Sequence, residues 1–161
     1  MKVIKILLLF LFFGTSFSIV SAQKVSTKKI EKVLAEFDAN FTKQEEGKYE
    51  FYYGDVKFFC FVNKDNNMVR ILSPIDDIVN LSNGNIQRSM EANHKSPRNV
   101  QYSISNDIIW STFINPLDTT SKDMIVDGIY RVYANNRSFG TTYSSDYFAY
   151  NDKSNVEENE D

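Results

Sequence analysis

The chain has 161 residues, with 21 acidic and 18 basic side chains and a formal net charge of −3 at pH 7. This length is enough for one domain with a hydrophobic core. The near balance of charge excludes the strongly basic surface that binding to nucleic acid requires. A single cysteine and a single histidine exclude an intramolecular disulfide and a metal site with several histidines. We therefore expect no metal and no other cofactor.

The N-terminus has the three parts of a secretory signal peptide. Lys2 and Lys5 precede an unbroken apolar run at 6–13, and short side chains at 20–22 offer a cleavage position before Gln23. The apolar run is shorter than the about 20 residues that a membrane-spanning helix needs. We therefore expect export, removal of residues 1–22 and no stable membrane span afterwards.

The C-terminus differs in composition from the rest of the chain. Residues 151–161 contain five acidic side chains and one lysine, and they show no apolar periodicity. This composition predicts an acidic, disordered tail that keeps the protein soluble. A single domain at 23–150 remains between the signal peptide and the tail.

The first half of this domain changes from helical spacing to strand-like alternation. Ser26 or Thr27 can cap a first helix, and Gly47 can end it. Residues 49–53 and 56–62 then alternate as two strands around the two-residue turn Gly54-Asp55, and a third strand at 68–72 is expected to end at Pro74. The apolar positions of the helix are Ile30, Val33, Leu34, Phe37 and Phe41.

The second half begins with another helical stretch and then forms a second hairpin. We expect a helix at about 85–93, with Ile86, Met90 and Asn93 facing inward. Strands are expected at 100–105 and 108–114, because both segments alternate and a tight polar turn separates them.

A last helix completes the pattern. Thr120 and Asp123 are spaced as in a capping box, and Gly140 is a suitable stop. The resulting order of elements is α-β-β-β-α-β-β-α. Hairpin strands combined with amphipathic helices predict an α+β fold, in which an antiparallel sheet has helices on one face. The apolar positions of this helix are Ile125, Ile129, Val132 and Tyr133.

This order of elements resembles the type III secretion chaperone-like fold and the related YbjN-type domains. Four segments carry the resemblance: the helix end at 90–93, the alternating strand at 100–104, its hairpin partner at 108–114 and the closing helix at 123–130. The resemblance covers about residues 26–140. It implies a small bacterial, non-enzymatic module that forms a homodimer or binds a protein or peptide.

The signal peptide is a departure from that family. Secretion chaperones of this fold act in the cytosol, whereas an exported chain is expected to be secreted or periplasmic. We therefore expect this chain to share the fold and the polypeptide binding of the family, but not its secretion pathway.

The hairpin turns determine which strand residues share a face of the sheet. The turn at Gly54-Asp55 places Phe51 opposite Phe58 on an uncharged face, which we expect to meet the helices. The opposite face mixes charges with large apolar groups, and the second hairpin places the only tryptophan on it. An aromatic patch with a polar rim often marks an interface. The candidate binding residues on this outer face are Tyr52, Phe59, Phe61, Arg70 and Trp110.

An intramolecular explanation competes with the interface. Residues 141–150 carry four aromatic side chains and could fold back over the outer face of the sheet. The four are Tyr143, Tyr147, Phe148 and Tyr150.

Candidate catalytic residues are few. Cys60 lies among aromatic strand residues, where a small buried side chain is expected rather than a nucleophile. Asp76 and Asp77 are adjacent, so we expect them to begin a helical turn rather than to act as an acid–base pair. The alternative function is a small secreted hydrolase that uses a serine or aspartate with His94. A solvated position at a helix end is the more ordinary role for this histidine.

Overall fold

The computed structural model describes residues 26–95 and 99–145. The expected signal peptide and the expected acidic tail lie outside these residues. In chain order the elements are α1 (Thr27–Phe37), β1 (Thr42–Glu45), β2 (Lys48–Tyr53), β3 (Val56–Asn63), β4 (Met68–Asp77), a 3-10 turn (Ile78–Asn80), α2 (Asn83–Lys95), β5 (Val100–Ser105), β6 (Ile108–Pro116) and α3 (Lys122–Arg137).

The described strands form one antiparallel sheet in the order β1-β2-β3-β4-β6-β5. The helices pack on one face of this sheet, so the predicted α+β fold is confirmed. The sequence of helix, strands, helix, strands and helix is also as predicted. The sheet has one strand more than expected, because β1 precedes the three strands that the alternation indicated.

The first helix is shorter than predicted, and β1 takes up part of its expected range. Ser26 caps α1 as expected, but the helix ends at Phe37 and not near Gly47. The carboxylate of Asp38 accepts hydrogen bonds from the backbone N–H of Asn40 (2.8 Å) and of Tyr52 (3.0 Å), which turns the chain toward the sheet. Phe41, predicted as a helical position, therefore follows the helix.

Both predicted hairpins are confirmed with their register. Tyr53 pairs with Val56 across the first turn, and Ser105 pairs with Ile108 across the second. Gly54, Asn106 and Asp107 have positive φ angles, as tight hairpin turns require and as these residue types tolerate.

Strand β4 is longer than predicted. It continues through Pro74 to Asp77, whereas the sequence suggested that the proline would end it. The pairing of β4 with β6 shifts between Pro74 and Asp76. Such a bulge is one of the places where a strand tolerates proline, because the regular ladder of hydrogen bonds is already interrupted there.

The inward face of α2 agrees with the predicted one at Asn93 and in part at Ile86, but not at Met90. Met90 is 38% exposed, while Ser89 is fully buried and Ile86 is half-buried. Asn93, on the same face as Ser89, contacts the backbone of Tyr102 in β5. The small Ser89 side chain and the polar Asn93 therefore form the packed face, and Met90 points away from it.

The N-cap of α3 lies one residue later than predicted. The Ser121 hydroxyl accepts the backbone N–H of Met124 at 3.2 Å. Thr120, the predicted cap, instead donates its hydroxyl to the carbonyl of Pro116 at 2.7 Å. The helix ends at Arg137, and Gly140 follows with a positive φ angle, so the predicted stop is close to the observed end.

The hydrophobic core lies between the helices and the inner sheet face. Gly128 allows α3 to approach closely, because a Cβ there would lie 3.0 Å from the ring of Phe113. The core includes Ile30, Leu34, Tyr49, Phe51, Phe58, Cys60, Val69, Ile71, Val100, Ile125, Ile129 and Val132.

No helix within residues 26–95 and 99–145 is long and apolar enough to cross a membrane.

Candidate functional site: the outer face of the sheet

Four strands, β2, β3, β4 and β6, bring the candidate residues to the sheet face that points away from the helices. Residues Tyr49, Phe51 and Phe58 of the hairpin β2–β3 are buried in the core. Their neighbours in sequence therefore project from the opposite surface, because successive strand residues alternate between faces. We call this surface the outer face. The predicted candidates Tyr52, Phe59, Phe61, Arg70 and Trp110 all belong to it by register.

The centre of the outer face is aromatic. The rings of Phe59 and Phe61 stack with centroids 6.4 Å apart, and Phe59 meets Trp110 edge to face at 6.1 Å. Phe59 is on β3 and Trp110 is on β6, so the two side chains meet above the intervening strand β4. Phe61 is 36% exposed and Tyr52 is 49% exposed. Phe59, Phe61 and Trp110 thus form a contiguous aromatic cluster, and Tyr52 is a further exposed aromatic residue on the same face.

Pro74 is the part of this surface that the sequence prediction missed. It pairs with Trp110 across β4 and β6, and it was expected to end the strand. The one signal in the sequence that could have placed Pro74 on this face is the segment that follows it, which is long enough to continue the strand. The indole N–H of Trp110 donates to the carbonyl of Ser105 at 3.1 Å, so its polar atom is satisfied within the hairpin β5–β6.

The charged groups on the outer face differ in their partners. Lys57 and Glu50 form an ion pair at 2.7 Å, and the ammonium of Lys57 lies 5.2 Å from the ring centroid of Phe59. The hydrogen bond to Glu50 raises the pKa of Lys57. Arg70 is exposed, and its Nε donates to the sulfur of Met68 at 3.4 Å. Lys48, opposite Phe61, also forms an ion pair, with Glu45 of β1. The outer face therefore combines two lysine–glutamate pairs with Arg70.

The described part of the C-terminal segment lies on the other side of the sheet. The ring of Tyr143 packs against Tyr102 at 6.1 Å and against Phe139 at 5.4 Å, and Arg88 of α2 lies over it. Tyr102 is buried on the inner face. Tyr143 therefore does not cover the outer face, contrary to the intramolecular alternative. Tyr147, Phe148 and Tyr150 lie outside the described residues.

Two concave surfaces lie on the helix side. One, of about 470 Å³, is bounded by α2 and by residues 141–145. The other, of about 420 Å³, lies between α1 and α3 and is lined partly by Lys29, Lys32 and Lys122. Lys122 forms an ion pair with Glu36 at 2.8 Å, so part of this positive charge is already balanced.

The structure does not bring the candidate catalytic residues together. Cys60 is fully buried, and desolvation raises the pKa of its thiol to about 12, as expected for a core side chain. His94 is exposed at the end of α2, and no hydrogen bond or ion pair joins its imidazole to the side chain of another described residue. Asp76 accepts from the backbone N–H of Asp77 and from Asn80 at the 3-10 turn, which confirms the predicted helical turn. Within the described ranges, no group of acidic, histidine or cysteine side chains could hold a metal ion.

Several solved structures share this fold. A chain of the HopA1–SchA chaperone–effector complex matches with a TM-score of 0.55 and 5% identity, over 68% of this chain and 91% of that one. A chain of the ExsC–ExsE complex matches with a TM-score of 0.53 and 11% identity, over 70% and 95%. The Yersinia pestis type III secretion chaperone SycH, in complex with a fragment of YscM2, matches with a TM-score of 0.52 and 10% identity, over 68% and 98%.

These similarities establish a type III secretion chaperone-like fold. The sequence identities are too low for the similarities to carry more than the fold. No protein-family model matches the sequence, and no curated protein matches it. The resemblance to YbjN-type domains stays a prediction.

Proposed function

We propose that this protein is an exported, non-enzymatic module that holds a polypeptide on the outer face of its sheet. The polypeptide is a protein or peptide partner, or a second copy of the chain. The observation that carries the proposal is the contiguous aromatic surface of Phe59, Phe61 and Trp110, with Tyr52 nearby, on the face that the helices leave uncovered.

Physical reasons favour a polypeptide over a small molecule at this surface. Small ligands bind in clefts that bury most of their surface, and the two clefts described above lie on the helix side of the sheet. Aromatic and arginine side chains dominate the energetics of protein interfaces. The structural neighbours come from complexes of two polypeptides, which supports the proposal by analogy of fold.

The test is the replacement of Trp110 by alanine. Truncation of a central aromatic contact is expected to weaken partner capture by about 30-fold, as for an interface residue worth about 2 kcal/mol. Capture from the exporting organism's periplasm or medium and light scattering after size exclusion measure the partner and the oligomeric state. Unchanged capture together with an unchanged oligomeric state overturns the proposal.

Val79→Ala is the matched control for this experiment. Val79 is 83% exposed in the 3-10 turn, so its truncation also removes exposed apolar surface but not from the outer face. The variant is expected to bind as the wild type does. Circular dichroism of both variants checks that the fold is kept.

Export is a separate part of the proposal. It rests on the charged, apolar and small-residue segments of residues 1–22. The mass of the protein recovered outside the cytosol is expected to match a chain that begins at Gln23. A full-length chain confined to the cytosol contradicts export and leaves the binding surface untouched.

A further inference from the structure

Arg70 occupies the middle of the outer face. It lies on β4, which has β3 on one side and β6 on the other, and its cross-strand neighbours are Phe61 and Ile114. Phe59 and Trp110 lie further along the same face of the sheet. Arg70 therefore has apolar neighbours on both adjacent strands and borders the aromatic cluster at Phe61.

The donors of Arg70 have little to bind within the protein. Among residues 26–95 and 99–145, no carboxylate lies within ion-pair distance of Arg70, and the sulfur of Met68 is its hydrogen-bond acceptor. A guanidinium carries five N–H donors in a fixed, planar arrangement. The lysines on this face already have carboxylate partners, since Lys57 pairs with Glu50 and Lys48, the cross-strand neighbour of Phe61, pairs with Glu45. Arg70 differs from both lysines in this respect.

A partner that covers Phe61 also covers Arg70, which is its directly paired neighbour on β4. Loss of water around an unpaired arginine is costly, because the charge always remains on the guanidinium. A carboxylate offsets this cost, since it accepts two parallel hydrogen bonds from the guanidinium and interacts more strongly where water is excluded. A segment with only apolar side chains would leave the arginine charge buried and unpaired.

From this geometry we propose that Arg70 binds an aspartate or glutamate side chain of the held polypeptide. The recognised segment has an acidic residue with apolar residues beside it, which cover Phe61 and Trp110. This inference rests on the proposed function and specifies its ligand. It gives Arg70 the role of selecting the partner by charge, while the aromatic residues contribute contact area.

The experiment selects binding peptides from a random displayed library on the mature full-length protein. The wild type, Arg70→Gln, Arg70→Glu, Lys57→Gln and Trp110→Ala variants are used in parallel. The wild type is expected to enrich peptides with Asp or Glu next to aromatic or aliphatic residues. Arg70→Gln is expected to lose the acidic preference, and Arg70→Glu to replace it with a preference for Lys or Arg. Lys57→Gln, which removes a positive charge from the same face, is expected to keep the wild-type preference.

A pair of peptides gives the quantitative readout. Changing the enriched acidic residue to its amide is expected to weaken binding to the wild type about tenfold or more, as for a hydrogen bond to a charged group. The same change is expected to have no effect on Arg70→Gln. Trp110, the only tryptophan, reports binding through its fluorescence.

The outcomes separate the two proposals. Enriched peptides that depend on Trp110 but show no acidic preference overturn the role of Arg70 and leave the proposed function intact. An acidic preference that survives in Arg70→Gln also overturns it. Peptides that bind Trp110→Ala as well as they bind the wild type overturn the proposed function and, with it, this inference.

Discussion

Cys60 is a structural side chain whose environment suppresses thiol chemistry. It lies on the inner face of β3, opposite Tyr49 and Ile71, and no part of it is exposed. Burial raises the pKa of the thiol to about 12 from an ordinary value of 9.0, because the thiolate would lose its hydration. The reactive form is therefore scarce in the folded protein at neutral pH.

This shift predicts how the stabilising contribution of Cys60 changes with pH. The folded state keeps the thiol proton until about pH 12, while the unfolded thiol ionises near pH 9.0. The contribution is therefore fully present below pH 9 and decreases as the pH rises from 9 toward 12. Urea unfolding of the wild type and of Cys60→Ala at pH 8 and pH 10.5, under reducing conditions, measures it.

The difference in unfolding free energy between these two proteins is expected to be smaller at pH 10.5 than at pH 8. A difference that stays constant or grows contradicts the assignment of a proton held by burial. A thiol reagent provides an independent check, since Cys60 is expected to react only at the rate of unfolding.

Single residues show where prediction from the sequence works and where it does not. The burial of Cys60 follows from alternation, and the pairing of Phe51 with Phe58 follows from the two-residue turn between their strands. Ile104 has the register of an inner-face residue, yet it is 45% exposed. It lies next to the tip of the hairpin β5–β6, past the point where α2 contacts Tyr102. Alternation gives the face of a residue, whereas its burial depends on which helix covers that part of the sheet.

The two edge strands of the sheet are protected in different ways. Strand β1 has four exposed residues, two of them charged, and its pairing shifts between Lys43 and Glu45. Short, charged and irregular edges resist pairing with another chain. Strand β5 has six residues without charge, and it is protected by α2. The side-chain amide of Asn93 accepts the backbone N–H of Tyr102 at 2.6 Å and donates to its carbonyl at 2.8 Å.

Asn93 thus makes the two hydrogen bonds to Tyr102 that a residue of an additional strand would make at this edge of the sheet. Replacing it by alanine is expected to free the Tyr102 backbone and to lower the local free energy of opening by about 1–3 kcal/mol, the net value of two hydrogen bonds. Hydrogen exchange of the Tyr102 amide, followed by NMR, is expected to accelerate accordingly.

Gln87→Ala is the control for this change. Gln87 lies on α2 as well, but its side chain contacts Glu91 on the exposed surface. Equal exchange of the Tyr102 amide in Asn93→Ala and in the control contradicts the role of Asn93 at the edge.

Elements that are determined by their own residue types could be predicted from the sequence, whereas elements that depend on contacts with distant residues could not. The turns at Gly54-Asp55 and Asn106-Asp107 follow from residue types that tolerate positive φ. The end of α1 depends on a hydrogen bond that the backbone N–H of Tyr52 donates to Asp38. The two residues are fourteen positions apart, so the helical periodicity of the sequence does not reveal this contact. Strand β1 is polar throughout, and the bond of Lys43 to Glu31 of α1 at 2.8 Å is likewise invisible in a local pattern.

At the scale of the whole molecule, the sheet separates two environments. The helices cover the inner face and supply the core, while the outer face carries aromatic side chains and Arg70. The α+β fold and the composition of both faces could be predicted, because two hairpin registers fix which residues share a face. The sequence did not show that Pro74 extends the outer face, nor that Tyr143 packs on the helix side, because both depend on tertiary contacts.

The measurement that tests the central proposal most directly is site-specific photo-crosslinking in the exporting organism. A benzophenone amino acid replaces Phe61 on the outer face or, in a separate variant, Tyr130 on α3. Both side chains are 36% exposed, so the two probes are matched for access to solvent. We expect the probe at Phe61 to form a discrete crosslinked product with a polypeptide and the probe at Tyr130 to form none. Two results contradict a binding surface on the outer face of the sheet: a crosslinked product from Tyr130 with none from Phe61, and no crosslinked product from either position.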